Sequence, residues 1–152
     1  MPLTAAQFPE FFRALHGYDP FPWQAALATR LCAPETGGTW PECLALPTGT
    51  GKTSCLDIAV FALALQADWP AARRTAPRRI LFVVDRRIIV DEAFAHAREI
   101  AEKLAEAEAG ILAEVGNRLR QLAGGGRRGD VEPSAGGTAP VDGPFIARRG
   151  VS

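Results

Sequence analysis

The stretch Leu46-Pro47-Thr48-Gly49-Thr50-Gly51-Lys52-Thr53 has the composition of a loop built to hold phosphates, and the rest of the chain is organised around it. The apolar run Cys43-Leu44-Ala45-Leu46 leads into it and reads as a buried parallel strand; a strongly apolar segment ending near Ala67 follows and reads as a helix. In that order Gly49 and Gly51 let the backbone take φ > 0 and turn its N–H groups inward, while the new helix aims its positive end at the same point. Against the pattern G-x-x-x-x-G-K-[ST] the stretch has one departure, Leu46 where the pattern has glycine. Lys52 is expected to reach the β- and γ-phosphates of a polyphosphate, and the Thr53 hydroxyl to ligate a Mg²⁺ that bridges them.

The chain has 152 residues, enough for roughly one domain with a core, and its 47% hydrophobic content is that of a globular protein. Its 17 basic and 17 acidic residues cancel. Residues 1–70 hold three basic and six acidic side chains, so the remainder is the better match for a phosphate-rich partner. Cys32, Cys43 and Cys55 show no C-x-x-C spacing and no matching histidine cluster; reduced, mostly buried thiols are expected, not a zinc site or a disulfide framework. No basic start with an apolar core opens the chain, and no apolar run approaches the ~20 residues that cross a membrane. A cytoplasmic protein is the expectation.

Thr4-x-x-Gln7 reads as a capping box opening a helix with Phe8, Phe11, Phe12 and Leu15 on one face and Gly17 at its end. Pro20 and Pro22 then force an extended approach to a second helix from about Trp23 to Leu31, with Gln24 in its first turn. An amide held there is both donor and acceptor, which suits the edge of adenine, and Tyr18 or Phe21 could stack on the ring. The segment after the loop is apolar on nearly every side, which predicts burial beneath a sheet covered on both faces. Ile80-Leu81-Phe82-Val83-Val84 reads as a central parallel strand that delivers Asp85, Arg86 and Arg87 to the sheet edge where ligands bind. A long helix from about Arg87 carries Val90, Ala93, Phe94, Ala97, Ile100 and Leu104 at three- and four-residue spacing; after Gly110, Ile111, Leu112, Val115, Leu119 and Leu122 continue a stripe. From Gly124 glycine and proline dominate. The expected division is a phosphate-loop domain over 1–123 and a disordered or weakly ordered tail over 124–152.

Phe21-Pro22-Trp23-Gln24, the stretch Leu46 to Thr53, and Phe82-Val83-Val84-Asp85-Arg86-Arg87 together resemble the start of a superfamily 2 helicase. More narrowly, they resemble the CRISPR-associated helicase-nuclease of type I systems. The resemblance covers about residues 8–105. It implies an α/β fold, a partial RecA-like phosphate-loop domain whose parallel sheet is flanked by helices. It implies ATP and Mg²⁺ as cofactors, with adenine read by Gln24, ATP held by Pro47, Thr48, Gly49, Thr50, Gly51, Lys52 and Thr53, catalytic roles for Lys52 and Thr53, and the metal on Thr53. Arg86 and Arg87 are implied to touch the backbone of single-stranded DNA, and a CRISPR effector complex is the implied partner of the full-length protein. The sequence shows no Asp-Glu-x-His box, second motor or His-Asp nuclease motif, and His16 and His96 read as standing alone. The chain therefore reads as the N-terminal part of the first motor domain, from the branch whose nuclease follows the helicase. Two alternatives stay open. Another phosphate-loop enzyme would show an acceptor site or sensor motif, and neither is visible; a non-catalytic nucleotide-binding module is favoured by the missing Walker B carboxylate, since Asp85 is followed by Arg86.

Overall fold

The computed structural model describes residues 2–33, 38–81, 83 and 87–124. Five α-helices carry the described fold: α1 (Phe8–His16), α2 (Pro22–Cys32), α3 (Cys55–Leu65), α4 (Arg87–Glu106) and α5 (Gly110–Leu122). Short 3₁₀ turns precede α1 and α3 and follow α3.

Each helix has a local cause. The Gln7 side chain accepts a hydrogen bond from the Thr4 N–H at 2.9 Å, satisfying a donor at the chain's first turn. α1 then buries Phe8, Phe11, Phe12 and Leu15 on one stripe and stops at Gly17, whose N–H bonds the Arg13 carbonyl. α2 begins with Pro22 in its first position, where a missing N–H costs nothing. α3 is apolar on every side save at Asp57 and accordingly lies in the middle of the molecule: Ile58, Val60, Phe61 and Ala64 are fully buried against α1, α2 and α5. Phe61 meets the rings of Phe8 and Phe11 at centroid separations of 5.5 and 5.2 Å, which locks α3 to α1. α4 and α5 pack on each other, burying Ile100 and Leu104 on one side and Ile111, Val115 and Leu119 on the other.

Gln66, at the end of α3, is wholly buried and ties three segments together. Its Nε2 donates to the Leu31 carbonyl of α2, while its Oε1 accepts from the N–H groups of Thr75 and Ala76 at 2.8 Å each. A polar side chain is stable in the core only when its groups are bonded in this way.

The expected α/β architecture is corrected by this structure. Helix accounts for 66% of the described residues, and none of them forms a strand or sheet, so a RecA-like domain with a parallel sheet is not seen among them. Residues 43–46 run as irregular backbone. Leu81 and Val83, read as the middle of a buried strand, are 91% and 88% exposed. A helix closes its hydrogen bonds within its own segment, whereas a strand needs a partner segment alongside. The apolar runs at 43–46 and 80–84 carry strand composition without such a partner among the described residues. The helix after the loop is buried as expected, but helices provide the cover, since an all-round apolar helix asks only for apolar neighbours. Phe82, Val84 and residues 125–152 lie outside the described residues, so the expectation of a weakly ordered tail lies there too.

Candidate functional site

The loop Leu46 to Thr53 leaves irregular backbone and enters α3 through one 3₁₀ turn, Lys52–Ser54. Gly49 and Gly51 stand at φ 81° and 70°, the left-handed region that a side chain disfavours. At Gly51 space matters as well: a Cβ would come within 3.0 Å of the Gln24 amide nitrogen. The Thr50 hydroxyl donates to the Pro47 carbonyl at 2.8 Å and closes the turn, and the Ser54 N–H donates to the Gly51 carbonyl at 3.1 Å. The exposed Lys52 ammonium reaches back across the loop to the Leu46 carbonyl at 2.9 Å. Thr48 is exposed and Thr53 half-buried.

Two side chains of α2 hold this loop from beneath. The Trp23 indole N–H donates to the Thr50 carbonyl at 3.0 Å, and the Gln24 Nε2 donates to the Gly51 carbonyl at 3.2 Å. Gln24 also accepts from the Phe21 N–H at 2.7 Å, so one amide caps α2 and anchors the loop, and it is 1% exposed. The structure thus brings Gln24, separated from Gly51 by 27 residues, against the glycines of the loop. Phe21 is exposed beside Gly51. Tyr18 is exposed too, but its ring packs on Phe12 and His16. Asp85 and Arg86 lie outside the described residues; Arg87 opens α4, and its side chain is outside them as well.

A second cluster went unread in the sequence. Asp57 is the only charged residue of α3 and is fully buried. His16 Nε2, from the end of α1, lies 3.0 Å from its Oδ1, and His96 Nε2, from α4, lies 2.9 Å from its Oδ2. A carboxylate only accepts, so both imidazoles donate through Nε2. The two rings stack with centroids 5.4 Å apart. The reading of His16 and His96 as solitary is therefore corrected: they share one acid across separations of 41 and 39 residues. The visible signal was a lone aspartate inside an otherwise apolar helix. Burial alone would raise the Asp57 carboxyl; the hydrogen bonds from His16 and His96 outweigh it and hold the group below its ordinary value. The bond to Asp57 raises His96 above the usual histidine range, against the opposing effect of burial. Among the cysteines, Cys32 is buried and its thiol is pushed up to about 12 by desolvation. Cys55 is raised by burial and then by the neighbouring Asp57 charge, and Cys43 is exposed.

The family model described as type III restriction enzyme, res subunit, matches residues 17–122, from just past α1 through α5. The chain belongs to that family. The res-subunit match makes it a superfamily 2 helicase-type motor region, and the matched residues include the whole loop Leu46 to Thr53 together with Gln24, Asp57 and His96. No curated protein and no solved structure matches the chain significantly. No helix among the described residues is long and apolar enough to cross a membrane.

Proposed function

We propose that this chain is the ATP-binding portion of an ATP-dependent DNA helicase, of the CRISPR-associated helicase-nuclease kind. The observation that carries the reading is the loop itself: two left-handed glycines, a lysine folded back across them, and a helix starting at the next turn, all in a res-subunit motor region. Those residues fit a nucleotide. Lys52 is exposed and exchanges a single bond to the Leu46 carbonyl for a phosphate without moving its backbone. Thr53 stands in the first turn before α3, at the end whose dipole favours an anion. When bound, Mg²⁺ neutralises charge on the β- and γ-phosphates, and Thr53 would be its protein ligand. Gln24 would read adenine through the donor and acceptor that Phe21 and Gly51 leave unused, which requires its amide, 1% exposed here, to be uncovered at the loop. Arg86 and Arg87 would meet phosphates of single-stranded DNA, and a CRISPR effector complex would be the partner of the longer enzyme. The Pro-Thr-Gly-x-Gly-Lys-Thr stretch followed by Val-Asp-Arg-Arg supports this narrower assignment.

Titration calorimetry with ATP tests the proposal: the protein is expected to bind and its Lys52→Ala variant not to. Equal affinity for the two proteins would overturn the loop assignment.

A further inference from the structure

We propose that His16, Asp57 and His96 form a site for a zinc-class divalent cation that clamps α1, α3 and α4 together. One ligand atom from each residue lies within 4.8 Å of the others, and the three residues come from three different helices. Zinc–nitrogen bonds of ~2.0–2.1 Å set tetrahedral donors about 3.3 Å apart, so side-chain rotation alone closes the cluster. The carboxylate already faces one imidazole nitrogen with each oxygen, at 3.0 and 2.9 Å. To ligate, each imidazole would turn an Nε2 lone pair to the ion and keep a single proton on Nδ1, any second proton being released on binding. Two nitrogens and one carboxylate suit zinc better than magnesium or calcium, which take oxygen donors. The imidazoles are 12% and 17% exposed, which leaves a side open for a water as fourth ligand.

The test uses the full chain, stripped with a chelator, in a Cys43→Ser background that removes its exposed thiol. Zn²⁺ without nucleotide is expected to bind one per chain by calorimetry and to raise the Tm. His16→Gln and His96→Gln should each weaken it by about tenfold or more, with the circular dichroism of the helices retained. Co²⁺ in the unaltered cluster should give d–d bands of nitrogen and oxygen ligation without a thiolate charge-transfer band, a readout that stands even where a glutamine variant does not fold. Absence of Zn²⁺ binding, affinity unchanged in folded His96→Gln, or a thiolate band in the Co²⁺ spectrum would overturn the proposal.

Discussion

Gly51 carries more of the candidate site than its size suggests. Its φ of 70° costs a non-glycine residue ~1–3 kcal/mol, and a Cβ there would press on the Gln24 amide at 3.0 Å. Gly51→Ala is therefore expected to lower stability by about 1–3 kcal/mol in denaturant unfolding and to weaken ATP binding at the same time. Gly49 shares the conformation but has open space around it, so its cost is conformational alone. Gln24 acts on the same loop from the other side. Gln24→Ala removes the bonds to Phe21 and Gly51, and is expected to weaken ATP and GTP binding together while equalising the two affinities. A competition assay in which the preference for ATP survives would leave Gln24 as a support for the loop and nothing more.

At the scale of elements, the helix–helix contacts set the tolerances. Gly116 sits on α5 where it faces α4, and a Cβ there would come within 2.6 Å of the Leu104 carbonyl. Helix propensity alone favours alanine over glycine by ~1 kcal/mol. The clash involves backbone, which cannot swing aside, and overpacking of this kind costs ~1–3 kcal/mol. Gly116→Ala is thus expected to lower Tm; a rise would show that α4 and α5 leave room for a methyl group at this contact. These helices were legible in the sequence for a physical reason. The stripes Phe8, Phe11, Phe12, Leu15 and Ile111, Val115, Leu119 depend on local periodicity, and the hydrogen bonds that realise them are local too. The strands read at 43–46 and 80–84 do not form among the described residues, because strand composition records what could pair and says nothing of whether a partner lies alongside. The Asp57 cluster was hidden for the same reason: nothing within five residues of His16 or His96 announces that both point at one carboxylate.

For the whole molecule, binding and turnover are expected to part company. Phosphoryl transfer needs a carboxylate to fix Mg²⁺ and orient water, and an arginine finger is worth ~10³–10⁵ in rate. The 152 residues contain no Asp-Glu-x-His stretch. A phosphate-release assay is therefore expected to read background rates for this chain, with or without single-stranded DNA, and the same rate for Lys52→Ala. DNA-stimulated release that disappears in Lys52→Ala would show that a carboxylate within these residues, with Asp85 the first to examine, performs the role. What the sequence determined by itself was the helical stripes and the superfamily, since each is written in contiguous residues whose chemistry is local. What only the tertiary structure decided was how the apolar segments are covered, helix on helix and not helix on sheet. It also decided which distant polar groups meet: Gln24 under Gly51, Gln66 across α2 and the 75–76 turn, and Asp57 between two histidines. Burial decides those meetings, because a buried polar group must find its partner wherever packing brings one, at whatever separation along the chain.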